Sequence, residues 1–453
     1  MKRGGIKVQH SVTLIKDKCK GCTKCIKQCP TEAIRVRHGK AIIIDKRCID
    51  CGQCIRVCPY NAKKAVHDSL ERLNDFSYTI ALPAPSLYGQ FKNLDNINQI
   101  LASFLKIGFD HVYEVSMGAE MLSNFMRLNI VDTPTDAPLI SSACPAVVRL
   151  ICMRFSKLID NIVPYIAPME IAAICAREEA MKRTGLLSEE IGIFFITPCP
   201  AKITEIHSPS FLNHPVIDGA FSIADIYRKL LHNMQRKNLP NLLKSKSAGI
   251  GWALAGGEIS ATAMQDSMAV AGIEHVIAVL ENVEDRLLTD VQFLELNACN
   301  QGCVGGCLTV ENPYVAKVRI KKLLKKMQTT NEELPTDEQL PYSHISPERF
   351  LSDKSLVENS IWQLAENRIV AMMRYQKINA LKELLPGLDC GTCGTPSCRA
   401  LAEDVVLGFA SEDDCIFRVR ERMQEMAETK DPDEYLPPPF RKSQEVVELD
   451  PHS

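Results

Sequence analysis

The sequence predicts a central α/β domain, preceded by a small α+β domain built of two similar halves and followed by a small helical, cysteine-bearing one. Three observations carry this. Short apolar runs at Tyr78–Leu82, Gly192–Ile196 and His275–Leu280 alternate with amphipathic stretches such as Ile97–Ile107 and Ile223–Leu231, as strands and helices do when taken in turn. Cysteines at 19, 22, 25 and 29 recur at 48, 51, 54 and 58, an internal repeat of 29 residues with strand-like Val12–Ile15 and Ala41–Ile44 before each run. A helical segment, 351–385, patterned most strongly from 354 onward, leads into a last cysteine group.

At 453 residues, 46% apolar and 24% charged, the chain has room for about three domains and a sizeable core. The boundaries read as 1–75 for the duplicated domain and 76–327 for the α/β domain, closed by the basic helical stretch Val315–Met327. A linker rich in Thr, Glu, Pro and Asn spans 328–350. The helical segment 351–385 precedes a cysteine domain at 386–425, and the tail 426–453 contains DPDEYLPPPF and reads as extended. The opening MKRGGIKVQH is basic but has no apolar stretch behind it, and no run reaches bilayer length, so a cytoplasmic protein without membrane contact is expected. The formal charge of −2 and 6% aromatic residues, with no basic-aromatic patch, argue against nucleic acid as a partner.

Sixteen of the nineteen cysteines fall into four sets of four. Cys19, Cys22, Cys25, Cys29 with Pro30, and Cys48, Cys51, Cys54, Cys58 with Pro59, follow the C-x2-C-x2-C-x3-C-P run of two-cluster ferredoxins. In such domains the fourth cysteine crosses over. Cys19, Cys22, Cys25 and Cys58 would then hold one 4Fe4S cubane, and Cys48, Cys51, Cys54 and Cys29 the other. Two structural zincs are the alternative for C-x2-C pairs, but three cysteines at that spacing followed by C-P, twice, favour iron. Such triplets in a long chain with no signal peptide point to metal ligands in a reducing, anaerobic setting rather than to disulfides.

The third set is dispersed: Cys144 in SSACPAVV, Cys199 in ITPCPAK, and Cys299 with Cys303 in ELNACNQGCVGG. These segments resemble, in order, the three signature segments of the iron-iron hydrogenases. The resemblance extends to Ala84-Pro85-Ser86 and Ala255-Gly256-Gly257 and covers roughly residues 76 to 325. It implies the hydrogenase H-cluster fold, with Cys144, Cys199, Cys299 and Cys303 binding a cubane and Cys303 bridging to a two-iron subcluster that bears carbon monoxide, cyanide and a bridging azadithiolate. Lys202 matches the family lysine that donates to a cyanide, so Cys303, Lys202 and Cys199 are the expected catalytic residues. Ala84, Pro85, Ser86, Gly256 and Gly257 would line the cofactor, where short side chains let main chain approach. The implied activity is heterolytic activation of H2, or proton reduction, with electrons passing through the accessory clusters to ferredoxin or another redox protein. Maturation proteins would supply the two-iron unit. A dinucleotide reading of Gly249–Gly257 fails because Leu254 stands where the third glycine belongs.

The chain departs from the family pattern in ways that bear on proton transfer. Ala143 replaces the relay cysteine before Cys144. Glu114 and Glu120 are out of register with the family's relay glutamates, and Thr197 and Asn297 replace the methionines beside the clusters. These changes resemble the divergent branches thought to be slow or sensory. Candidate proton carriers in their place are Cys307, Glu120 and Glu295, while Cys152 and Cys175 sit in apolar helical patterns and read as core.

Cys390, Cys393, Cys398 and Cys415 form the fourth set, resembling the small iron-sulfur domain of electron-transport and corrinoid-protein subunits, with a zinc knuckle as the alternative. Before it, Ile361, Leu364, Ile369 and Met372 or Met373 share one helix side, as a packed core stripe or a homodimer contact. The reading is therefore an FeFe hydrogenase with accessory 4Fe4S clusters. The alternative is an iron-sulfur electron-transfer or assembly protein that keeps the fold without the two-iron site.

Overall fold

The computed structural model describes residues 10–130, 137–234, 238–328, 346–360 and 364–426. They fall into two compact units, Met1–Lys18 with Ile43–Ile361, and Cys19–Ile42 with Trp362–Ser453. The strands in chain order are β1 (Val12–Leu14), β2 (Ile34–Arg37), β3 (Lys40–Ile43), β4 (Lys63–Ala65), β5 (Tyr78–Pro83), β6 (His111–Val112), β7 (Leu139–Ile140), β8 (Ile191–Thr197), β9 (Gly219–Ser222), β10 (Ser267–Ala271) and β11 (Phe293–Asn297).

The first unit is built on two parallel sheets. One has the order β6-β5-β8-β9 and the other β10-β11-β7, with Ile80 opposite Ile193 and Leu294 opposite Ile140. All seven residues of β8, IGIFFIT, are buried. An unbroken apolar run of that length suits a strand covered by helices on both faces, as parallel strands are. One side of the core gathers Ile80, Leu82, Ile151, Phe195 and Leu294. The other gathers Tyr88, Phe91, Phe104, Phe194 and Phe221, with the Phe194 and Phe221 rings stacked 5.2 Å apart. A separate antiparallel pair, β1 with β4, brackets the second cysteine run, with Val12 opposite Ala65.

The run His275–Leu280, expected as a strand, lies inside a helix, Ile273–Glu284. Its buried residues are Ile273, Val276, Leu280 and Val283, a three-four-three spacing that is one helix face. Ser267–Ala271 takes the sheet edge in its place. The other apolar runs and helical stretches form as expected, with helices at Asn98–Lys106, Ile223–Asn233 and Pro313–Gln328.

The second unit contains the paired strands β2 and β3 and the helices Arg368–Leu384, Cys398–Val406 and Ile416–Met426. The helix expected from residue 354 begins at 368. Asn367 caps it, its side-chain oxygen accepting from the N–H groups of Ile369 and Val370, and this satisfies donors a helix start leaves open. On that helix Ile369, Met372 and Met373 are exposed rather than packed as core. Ile361, most of the linker at 328–350 and nearly all of the tail from 426 lie outside the described residues. The two ends of the chain are joined within this unit by a buried ion-pair group. Arg35 grips Asp404 through Nε at 2.7 Å and Nη2 at 3.1 Å, and Arg37 Nη2 reaches the same carboxylate at 2.7 Å. Val36 N–H donates to Gly394 carbonyl at 2.8 Å and Arg37 Nη1 to Cys393 carbonyl at 3.1 Å.

Candidate functional site

The expected site segments follow the carboxyl ends of the parallel strands. β5 runs into Ala84-Pro85-Ser86, β7 into Cys144, β8 into Cys199, and β11 into Cys299 and Cys303. In open parallel sheets this end is where loops converge and ligands bind. Cys144 and Cys199 each stand at the cap position of a helix, Pro145–Arg154 and Pro200–His207, with proline at the first turn. That places both sulfurs at the positive end of a helix dipole.

The four thiols lie close enough to act on one another. Burial pushes the Cys303 thiol up to about 11; Lys202 opposes this, while Cys144 and Cys299 add to it. Cys199 is raised by burial and by the same neighbours, again against Lys202. Cys299 is raised by burial and by Cys144, against Arg56. Thiols held protonated in this way ionise when a strongly cationic, thiophilic group takes them together, so the donor set fits an iron-sulfur cluster.

Lys202 is half-buried in this cluster, and its Nζ donates to Ala143 carbonyl at 3.1 Å. Burial pulls its ammonium down, but Cys303, Cys199, Cys144 and Glu170 in their ionised forms outweigh that and hold its pKa above the usual lysine value. An ordinary surface lysine has no such neighbours. Ala84 and Pro85 are buried, and Ser86 is fully buried with an Oγ that lacks a hydrogen-bond partner. A buried hydroxyl without a partner costs roughly 1–3 kcal/mol and is suited to a ligand acceptor. Gly256 N–H donates to Glu295 at 2.8 Å, and Gly257 opens the helix Gly257–Thr262. The loop carrying Cys299 and Cys303 turns through Gly302 at φ +83°, where a Cβ would come 2.4 Å from Ala255 N. Only glycine lets the two segments approach that closely.

Beside Ala143 the structure brings together residues that spacing does not reveal. Ala143 N–H donates to Ser141 Oγ at 3.2 Å, and that hydroxyl donates to Glu258 Oε2 at 2.6 Å. Glu258 is raised to about 8, first by burial and then by the neighbouring Glu295 charge. Glu295 is also raised by burial, against the N–H groups of Ile259 and Gly256 and the Asn297 amide. Glu114 and Glu120 hold the backbone of residues 244–249. Glu114 accepts from Tyr88, Lys244 and Ser245, and Glu120 accepts from Lys246 and Gly249 N–H groups. Burial raises Glu120 to about 7. Thr197 Oγ1 bridges the backbone of Cys199, accepting from its N–H at 3.2 Å. Cys307 packs near Cys299 and Arg56; Cys152 is buried and Cys175 half-buried.

Among the accessory cysteines, Cys48, Cys51, Cys54 and Cys58 belong to the first unit, and Cys19, Cys22, Cys25 and Cys29 to the second. The two runs share a local device: Ala33 N–H donates to Cys29 Sγ and Ala62 N–H to Cys58 Sγ, each at 3.2 Å. Hydrogen bonds of this kind stabilise a cluster thiolate. Cys390, Cys393, Cys398 and Cys415 line one cavity together with Asp389 and Thr392. Asp389 Oδ1 accepts from Cys398 N–H at 2.6 Å and fixes the loop. Arg56, Ser141 and Glu258 had no sequence signal as site residues.

Comparison with known proteins finds matches in three parts of the chain. Residues 77–264 match the C-terminal domain of the iron-only hydrogenase large subunit, residues 11–59 a 4Fe-4S dicluster domain, and residues 385–417 a putative Fe-S cluster segment. A curated relative, the NADP-reducing hydrogenase subunit HndD of Solidesulfovibrio fructosivorans, is 24% identical over 232 residues. The match takes in 49% of this chain and 36% of HndD, so the chain spans little over a third of that protein's length. Solved structures that align include an [FeFe]-hydrogenase HydA described for stepwise H-cluster assembly and a HydA1 variant from Chlamydomonas reinhardtii. Each aligns at 13% identity and a TM-score of 0.46 over 63% of this chain and 95% of the other. No helix among the described residues is long and apolar enough to cross a membrane.

Proposed function

From a chain whose central domain, residues 77–264, is that of the iron-only hydrogenases, flanked by iron-sulfur domains, we infer an enzyme that activates H2 or reduces protons at an H-cluster. The observation that supports this most directly is Lys202, whose Nζ donates to the carbonyl of Ala143, next to Cys144, and whose ammonium is favoured by Cys303, Cys199 and Cys144. A cubane alone needs no such cation; an anionic diatomic ligand beside it does.

Cys144, Cys199, Cys299 and Cys303 would hold the cubane, and Cys303 would be shared with the two-iron unit. When bound, that unit supplies the site at which the H–H bond is made or broken. Lys202 Nζ and the unpartnered Ser86 Oγ would donate to its anionic ligands, and the backbone of Ala84, Pro85, Gly256 and Gly257 would line it. Ala143 carries no proton, so proton movement falls to Ser141 Oγ and the Glu258 carboxyl, with Glu295 behind them. Electrons would pass through the accessory clusters of the two amino-terminal cysteine runs. The carboxy-terminal set is a further redox terminal, and ferredoxin or a comparable carrier is the fitting partner.

Infrared spectroscopy of protein matured anaerobically tests the reading. Bands of metal-bound carbon monoxide and cyanide are expected, with about eighteen irons per chain, four cubanes plus two. Spectra silent in both regions would remove the two-iron assignment. A slow or sensory role, or an electron-transfer protein without the two-iron unit, is the second reading. The replacement of the relay cysteine by Ala143 favours it, and clusters that H2 cannot reduce in matured protein would select it.

A further inference from the structure

The second cysteine run meets the loop of Cys299, Cys303 and Cys307 through the Arg56 side chain and the Gly52 backbone. Arg56 ends the short helix Gln53–Arg56, two residues before Cys58. Its Nη2 donates to Cys299 Sγ at 3.1 Å and also to Gly305 carbonyl, in the loop that carries Cys303. Its guanidinium faces the sulfurs of Cys299, Cys307 and Cys51 together. Beside it, Gly52 adopts φ +72°, and a Cβ there would lie 2.2 Å from Cys307 Sγ and 3.5 Å from Pro200. A glycine in the accessory run and a cysteine in the central loop therefore meet with nothing between them, and one fixed cation lies alongside both cysteine groups.

We propose that Arg56 is a positioning and potential-setting residue for electron exchange between the Cys48-Cys51-Cys54 cluster and the central cubane. The inference rests on the cubane part of the functional reading alone. A guanidinium keeps its charge at any working pH and donates along fixed directions. A cation hydrogen-bonded to a cluster sulfur stabilises the reduced, more negative cluster, and so raises its potential. The Gly52–Cys307 contact provides the short path and Arg56 holds the loop and the charge in register.

The test uses full-length protein carrying its cubanes but never matured, so that the two-iron unit plays no part. Spectroelectrochemical titration followed by electron paramagnetic resonance gives the potential of the central cubane, identified as the signal lost in Cys199→Ser. Arg56→Gln is expected to move that signal to lower potential by at least a tenfold change in the reduction equilibrium, about 59 mV for one electron. Arg56→Lys, which keeps the charge, is expected to move it less. An unchanged potential in Arg56→Gln, or an equal shift in the two variants, overturns the proposal. If Arg56→Gln fails to retain the central cubane, Arg56→Lys decides: a potential like that of the parent protein supports the role of charge, and a full shift refutes it. Absence of carbon monoxide bands in matured protein would defeat the hydrogenase reading and leave this measurement intact.

Discussion

Ser141 Oγ donates to Glu258 Oε2 across 2.6 Å, joining two buried side chains 117 positions apart. The Ser141 hydroxyl also accepts from Ala143 N–H, so the pair begins at the residue where the family pattern has a titrating cysteine. Burial, with the neighbouring Glu295 charge, raises the Glu258 carboxyl above the ordinary glutamate range and favours its protonated form.

Glu258→Gln keeps the shape and removes the exchangeable acid. Hydrogen turnover in matured protein is expected to fall by roughly 10²- to 10⁴-fold, the usual worth of a general acid or base. Iron content and carbon monoxide bands should stay as in the parent. Turnover within twofold of the parent would take Glu258 out of the proton route.

Lys202→Ala leaves Cys199 and Cys303 without their opposing cation and the site without its lysine donor. Retention of the two-iron unit is expected to drop more than tenfold, read as the intensity of the cyanide and carbon monoxide bands per central cubane. A structural lysine would leave that ratio unchanged.

Burial raises Glu120 to about 7, and Glu170 and Glu258 to about 8, from an ordinary 4.5. Between those values the native protein binds protons that the unfolded chain has released, so stability falls as pH rises. The contribution is whole below about 4.5 and is lost as pH passes through 7 to 8. The denaturant midpoint of metal-free protein, kept anaerobic and reduced, is expected to be lower at pH 9 than at pH 6. A higher midpoint at pH 9 would contradict the assignment, and Glu258→Gln should flatten the slope.

Gly302→Ala puts a methyl group against Ala255 N and a side chain at φ +83°. Backbone strain of this kind costs about 1–3 kcal/mol. The expected outcome is partial loss of the central cubane while the accessory clusters persist, followed by iron analysis and electron paramagnetic resonance.

Much of this architecture is legible without coordinates because cluster ligands are local in the chain. Cys19–Cys29, Cys48–Cys58 and Cys390–Cys398 declare themselves by spacing, and the buried run of β8 by its unbroken apolar residues. Two readings failed where a local pattern supports either of two outcomes. His275–Leu280 looked like a strand because six residues are too few to separate periods of 2 and 3.6, and burial of Ile273 and Val283 settles it as helix. The helix placed from 354 starts at 368 because Asn367 caps it, a signal weaker in sequence than the apolar stripe beyond it. Arg56, Ser141 and Glu258 were invisible for another reason. Each acquires its partner only when loops after β7 and β11, the second cysteine run and the helix Gly257–Thr262 converge, and no spacing encodes a contact made across 117 or 243 positions.

The grip of Arg35 and Arg37 on Asp404 also sets a timetable for the chain's synthesis. Nearly 370 residues separate the partners, so the segment Cys19–Ile42 emerges early, and Arg35 and Arg37 gain their shared carboxylate only once the helix Cys398–Val406 has been made. Whatever inserts iron into the first cysteine run therefore meets it either before Asp404 has been made, as a loose segment, or afterwards, as one already tied down.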